Sequence, residues 1–329
     1  MTTTSGTAAA KPTQDDFLVL AQPYRRELLA HCYRMLGSVH DAEDMLQETM
    51  VRGWRGYDRF EGRSSLRTWL HRIATSTCLT ALEGRSRRPM PAGLGGTGSD
   101  PAEPLLDNPE IAWLEPVPDS AVGADPASVV DVRSSIRLAF VAALQHLPAR
   151  QRAVLLLREV LQWRASEVAE LLGTSTAAVN SALQRARAQI ELAAPTESDT
   201  AAPLSAHQEQ LLDLYVAAFE VKDVSGIVSL LAADVVWEMP PFKAWYRGRV
   251  HVAQHLRTRC PGGPGDLRLL PLAANGQPGF AMYLRGPDGA FHPFSLQVLT
   301  FSGDDVTHVA TFLDVSLFAV FDLPTTVDG

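Results

Sequence analysis

Three sets of side chains in this sequence have the types and spacing for recognition chemistry. Asp44, Gln47 and Glu48 recur at i, i+3 and i+4 and form one polar, acidic helix face suited to a partner surface. Arg67, Arg72, Arg85, Arg87 and Arg88 follow, with Phe60 and Trp69 among them. Guanidinium groups hold phosphates while aromatic rings stack unpaired bases, so this interleaving suits nucleic acid. In a third segment Thr176, Ala177, Asn180, Ser181, Gln184 and Arg185 share one side of a helix, with Arg187 at its flank. Asn and Gln pair with adenine edges, Arg with guanine, and small residues let a helix approach the major groove. No metal-ligand, nucleotide-binding or catalytic-nucleophile motif occurs. Cys32, Cys78 and Cys260 are far apart, with neither a disulfide framework nor a CxxC spacing.

The elements that must carry these groups follow from periodicity. Ala42, Met45, Leu46, Thr49, Met50, Gly53, Trp54 and Tyr57 recur at helical spacing and predict a buried stripe behind the acidic face. The run SLRTWLHRIATSTCLTALEGRSRR predicts a second amphipathic helix. Helical pattern resumes at Val132, and residues 163–190 read as a helix-turn-helix. Val168, Leu171 and Leu172 give the first helix its apolar side, and Gly173 suits the tight turn. Ser175 is placed to cap the second helix, whose Val179, Leu183, Ala186 and Ile190 face inward.

The core AED-x-x-QE, then Trp54, Phe60 and the WL-x-x-IA run at 69–74, resemble region two of bacterial RNA polymerase sigma factors of the extracytoplasmic-function type. LPARQRAVLLLREV followed by EVAELLG-x-S-x-AAV-x-SALQRARA resembles region four. The resemblance implies that Asp44, Gln47 and Glu48 face core RNA polymerase. It implies that Phe60, Arg63, Arg67, Trp69, Arg72 and Ser76 serve promoter minus-ten DNA, where a flipped base costs a few kcal/mol to unstack. It assigns Ser175, Thr176, Ala177, Asn180, Ser181, Gln184, Arg185 and Arg187 to the minus-thirty-five element. Ser76 and Thr80 stand where the family usually has Asn and Asp.

Charge is segregated along the 329 residues, whose net charge is −8. Residues 15–88 carry twelve Arg against ten acids, and 132–192 eight Arg against four. Residues 89–131 hold eight acids and no Lys or Arg, and are rich in Pro and Gly. That tether is expected to be extended or disordered when free, with Leu105, Leu106, Ile111, Trp113 and Leu114 as candidate anchors. The resemblance implies that it threads the polymerase cleft. Residues 193–329 carry eight basic and fifteen acidic residues. Two basic modules, an acidic tether and an acidic terminal unit are the expected layout.

After a loose stretch at 193–203, helices at 205–221 and 224–231 precede five strands: 235–239, 268–273, 280–285, 292–301 and 306–315. A helix near 249–259 lies between them, and a curved antiparallel sheet forming an α+β cone is expected. LLAADVVWEMPPF, W-Y-x-G at 245–248 and HVATFLDVSLFAVFDLP resemble SnoaL-like polyketide-cyclase domains. Trp237, Met239, Trp245, His292 and His308 are candidate pocket residues, joined by Glu238, Tyr246 and Asp314 at the mouth. His308 and Asp314 share a face but are too far apart for a proton-transfer pair.

The expected architecture is multi-domain: a disordered lead (1–14), an all-α region two (15–88), the acidic linker (89–131), a helix-turn-helix region four (132–192), a short linker (193–204) and an α+β SnoaL-like domain (205–329). The expected function is a cytoplasmic sigma factor with a terminal regulatory domain, neither enzyme nor membrane protein, using no cofactor. Its partners would be core RNA polymerase and promoter DNA, with an anti-sigma factor or small ligand as further candidates. The alternatives are a ligand-responsive DNA-binding regulator, or a DNA-binding protein fused to a SnoaL-like cyclase or isomerase.

Overall fold

Ser38 and Ser65 set the first module, because each hydroxyl accepts a backbone N–H that would otherwise be orphaned at a helix start. The computed structural model describes residues 16–123, 136–193 and 203–328; the expected lead and most of the second linker lie outside them. Ser38 Oγ takes Asp41 N at 3.1 Å and opens α3 (Val39–Gly56). Ser65 Oγ takes Thr68 N at 3.1 Å and opens α4 (Leu66–Ala81). With α1 (Phe17–Ala21) and α2 (Arg25–Leu36) these helices enclose the predicted stripe. Ala42, Leu46, Thr49, Met50, Gly53 and Tyr57 are buried. Trp54 is not: it stands 41% exposed at the edge of the stripe, where the helix turns its ring away from the core.

Glu27 on α2 ties that module together. It accepts both from the Arg67 guanidinium and from His71 Nε2, at 2.9 Å for the latter. Burial would raise its pKa, but the bonds from His71 and Arg67 outweigh it and hold the carboxyl at about 2. A carboxylate depressed below its usual 4.5 stabilises the fold above that pH and loses its contribution as pH falls toward 2. Glu27→Gln is therefore expected to lower stability at pH 7, with its unfolding curve converging on the parent's below about pH 3. Denaturant titrations across pH test this; a gap that is constant with pH would refute it.

The tether is seated rather than free over 89–123. It contains a short 3-10 turn (Pro91–Leu94) and one helical turn, α5 (Asp119–Val122). Leu114 is fully buried, Trp113 nearly so, and Leu106 is exposed. Gly37, at φ +71, ends α2, and a Cβ there would meet Leu114 and Gln145 at 2.9 Å. Glu115 caps α3 from outside, accepting from Ser38 Oγ at 2.8 Å, Val39 N at 3.1 Å and His40 Nδ1 at 3.0 Å. A carboxylate there also meets the positive end of the helix dipole.

The second module holds α6 (Leu138–Gln145), α7 (Ala149–Leu155), α8 (Ala165–Leu172) and α9 (Thr176–Ala193). Gly173 adopts the left-handed φ of 60° that the turn requires. Ser175 Oγ accepts Ala178 N at 3.1 Å, as its capping role predicts. Val179, Leu183 and Ala186 are buried. The buried Arg152 bridges modules, donating to Met35 O at the end of α2 and to Gln145 Oε1 (2.7 Å) and Leu147 O (3.2 Å) after α6.

In the terminal unit α10 (Ala206–Glu220), α11 (Val224–Ser229) and α12 (Arg249–Thr258) pack on a six-stranded sheet. Its strands are β1 (Leu231–Glu238), β2 (Trp245–Arg247), β3 (Leu267–Ala274), β4 (Gln277–Arg285), β5 (Phe291–Ser302) and β6 (Asp305–Phe312), in the order β2-β1-β6-β5-β4-β3. The expected purely antiparallel sheet is corrected: β1 runs parallel to β6, with Trp237 opposite Val309. β2 escaped prediction because three residues carry no periodicity, and Leu231 opens a strand rather than ending a helix. α13 (Leu317–Val320) closes the far end. One apolar cluster fills the cone. A second runs through both helical modules into the outer sheet face, taking in Ala274, Leu296 and Phe312.

Candidate nucleic-acid interface

The outer face of α9 is open. Ser175, Thr176, Ala177, Asn180, Ser181, Gln184, Arg185 and Arg187 are all exposed. Arg187 is drawn to Glu159 at 2.6 Å, whereas Arg185 has no ion-pair partner among the described residues. The helix thus presents two amides and two guanidinium groups, Asn180, Gln184, Arg185 and Arg187, on one exposed side.

The acidic face of α3 is also exposed at Asp44 and Gln47, while Glu48 is half-buried and accepts Arg52 Nε at 2.6 Å. Gln47 borders a groove shared with Arg25, Arg26 and the tether residue Ala121 on α5.

The arginine and aromatic set divides. Phe60 and Trp69 meet at a tilt with centroids 5.0 Å apart, and the buried Tyr57 stacks on Phe60 at 6.0 Å, so Phe60 and Trp69 form one half-buried platform backed by Tyr57. Arg63 and Ser76 are exposed beside it. Arg67 is committed to Glu27, and Arg72 Nη2 reaches across to Glu170 on α8 at 2.6 Å. Arg85 and Arg88 both bind Asp41, Arg88 also holds Trp113 O at 2.9 Å, and Arg87 bonds His146 Nδ1 at 2.8 Å. Arg88 therefore fastens the tether and Arg87 the tether and second module, while Arg85 is held within the first module.

Sequence reasoning missed the turn between β3 and β4. Asn275 and Gly276 have φ of 57° and 67°, the two-residue turn that an Asn-Gly pair favours. Its tip enters the helical modules. Asn275 Nδ2 donates to Tyr33 Oη at 2.8 Å and Ile136 O at 2.7 Å, and Oδ1 accepts Val117 N at 3.0 Å. Gln277 Oε1 caps α6 by accepting Leu138 N at 3.0 Å, and Asp119 accepts Gly276 N at 2.7 Å. The Asn-Gly signal was legible, but its partners, over 130 residues away in chain for most bonds, were not.

The cone candidates are corrected in part. Trp237 and Met239 line a half-open pocket in the cone, whereas Trp245, His292 and His308 do not. His292 pairs with Asp288 on the surface at 2.9 Å. His308 meets Glu238 at 2.7 Å across the parallel β1/β6 pair, and Glu238 also accepts the tether's Ala92 N at 2.6 Å. Glu238 is therefore a tether anchor. Among the described residues no His/Cys/Asp/Glu cluster could hold a metal ion, and no helix is long and apolar enough to cross a membrane.

Comparison with known proteins agrees with this layout. Residues 20–88 match the family model for Sigma-70 region 2, and residues 137–190 that for Sigma-70, region 4. The ECF RNA polymerase sigma factor SigG of Mycobacterium tuberculosis is 55% identical over 97% of this chain and 87% of its own. SigW of Bacillus subtilis, another ECF RNA polymerase sigma factor, is 28% identical over 54% of this chain and 88% of its own. The crystal structure of M. tuberculosis SigJ superposes with a TM-score of 0.62, covering 93% of this chain and all of that one at 22% identity. This last likeness extends the shared fold through the terminal cone.

Proposed function

The chain belongs to the extracytoplasmic-function RNA polymerase sigma factors, and from that premise we propose how its surfaces divide the work and how the cone governs them. A sigma factor brings core RNA polymerase to promoters and is not itself an enzyme. Asp44, Gln47 and Glu48 meet core polymerase. The Phe60–Trp69 platform, with Arg63 and Ser76, receives a flipped base of the minus-ten element, and Arg67 acts from behind by fixing α4 through Glu27. The outer face of α9 reads the minus-thirty-five element. The work is done in the cytoplasm, with the polymerase.

The cone holds region two, tether and region four in one compact arrangement, and polymerase must spread them. The observation that carries this reading is the Asn275 carboxamide, bonded at once to Tyr33, Val117 and Ile136. Arg72–Glu170 supports it, since a minus-ten candidate is there occupied by region four. Run-off transcription with core polymerase, comparing the full chain with one ended near residue 203, tests both parts. Promoter-dependent transcripts that change on removing the cone are expected, more of them when the clamp is gone. Transcripts identical in amount under all conditions would refute the regulatory part, and no core-dependent transcript from either chain would refute the surface assignment.

Two narrower outcomes follow. Arg185→Ala should cost about 1–3 kcal/mol of promoter discrimination, whereas Arg187→Ala should weaken all sequences alike and reduce the salt slope. Competition binding at two salt concentrations separates them, and unchanged binding in both variants would take α9 off the DNA. A Gln47→Ala, Glu48→Ala double variant should fold normally, since neither side chain is in the core, yet bind core polymerase more weakly by about 2 kcal/mol. Parent-like affinity would mean that the face is merely solvated.

A further inference from the structure

Between α2 and α3 runs a groove with Leu29 and Leu46 as its floor and Arg25, Arg26, Glu43 and Gln47 at its rim. Gln47 also belongs to the acidic face of α3, so groove and face are one continuous surface. Arg26 is exposed and Arg25 half-buried, and neither forms an ion pair among the described residues. Two unpaired guanidinium groups over an apolar floor suit a protein partner that brings carboxylates and apolar side chains together. One lining residue comes from elsewhere in the chain. Ala121, on the helical turn α5 of the tether, closes one end of the groove.

The cone is what seats that turn. Val117 N donates to Asn275 Oδ1, and Asn275 N donates back to Val117 O, both at 3.0 Å. Pro118 bridges to Ala274, and Asp119, the first residue of α5, accepts Gly276 N at 2.7 Å. From this edge α5 lies against α2, with Val122 only 1% exposed. A helix of four residues has no stability of its own, so its place depends on these ties.

We propose that α5 and core RNA polymerase compete for this groove, and that the β3–β4 turn of the cone decides the contest by seating α5. This competition rests on the assignment of Asp44, Gln47 and Glu48 to core polymerase, and adds the segment that must leave. It holds whether or not the two helical modules move apart. Seating of α5 and binding of polymerase weaken each other by the same factor.

Hydrogen–deuterium exchange on the full chain, alone and saturated with core polymerase, gives the first test. Amides of residues 119–122 are expected to exchange roughly tenfold faster or more in the complex, while those of 25–29 and 43–47 slow. Slowing of the groove without faster exchange at 119–122 means that α5 stays beside polymerase, and overturns the competition. A groove that does not slow means that polymerase binds elsewhere, so the face assignment fails first and the competition with it.

A cross-link separates displacement of α5 from general opening. In a Cys260→Ser background, Gln22→Cys and Ala121→Cys are joined by a bismaleimide with a reducible spacer; Cys32 and Cys78 are buried. The linked chain is expected to bind core polymerase roughly tenfold or more weakly than the same chain after reduction. Single-cysteine chains treated alike should bind as the parent does. Parent-like binding by the linked chain overturns the competition, since its cone and region four remain free to move; should no link form, the exchange result decides.

Discussion

Asn275→Gly is expected to open the molecule. Glycine keeps the positive φ of the turn, which stays favourable as Gly-Gly, and removes only the carboxamide. Three hydrogen bonds disappear together, leaving Val117 N, Ile136 O and the Tyr33 hydroxyl with lost partners in a buried place. Tyr33 keeps its donation to Glu115 O at 2.7 Å, so region two itself should remain intact. At about 1 kcal/mol for each neutral bond the clamped arrangement loses about 3 kcal/mol, close to a hundredfold shift toward the open form. Small-angle scattering should show a larger radius of gyration, and core-dependent run-off transcription should rise. A variant with parent-like dimensions and parent-like transcription would remove Asn275 from any controlling role.

Arg152→Ala should be the most destabilising single change among those named. Its guanidinium satisfies carbonyls at the ends of two helices at once, Met35 O in the last turn of α2, Gln145 O at the end of α6 and Leu147 O just beyond it. Burial pulls its pKa down only to about 10, so it remains charged at pH 7 and complements both helix dipoles. Truncation leaves a cavity and several unpaired carbonyls, for which losses of about 3–5 kcal/mol are usual. Thermal unfolding should fall by roughly 10 °C for modules of this size. A drop equivalent to less than about 1 kcal/mol would mean that water replaces the guanidinium at little cost.

What was legible in the sequence was local. Helical periodicity found the stripe on α3, and turn chemistry found Gly173 and the Ser175 cap, because each depends on neighbours within one turn. The exposed side of α9 was readable for the same reason, since amphipathicity fixes which side faces out. Trp54 failed because it lies at the stripe's edge, where the tertiary partner and not the period decides burial. The sequence places Asp314 too far along the strand to pair with His308 but does not show that its carboxylate is Glu238, on a strand paired in parallel across 70 residues. Arg67, Arg72, Arg85, Arg87 and Arg88 announced positive charge correctly, yet four of the five are bound to acids elsewhere in the chain and Arg87 to His146. The tether's composition predicted a free coil. Leu114, one of the expected anchors, seats it together with Val117 and the bonds of Glu115.

The parallel pairing of β1 with β6 also sets a clock. The two strands are separated by most of the terminal unit, so the sheet cannot close until residue 312 has been made. Long-range pairing of this kind is slow relative to local helix formation. Region four is complete by residue 193, and a ribosome adding about 5–20 residues per second needs roughly 6–24 s to reach the end of β6. For roughly the first 4–16 s of that interval Asn275 has not been made, and until β6 follows the sheet that holds it is incomplete. A nascent chain can thus meet polymerase before its own restraint has been synthesised, and each new molecule begins life unclamped.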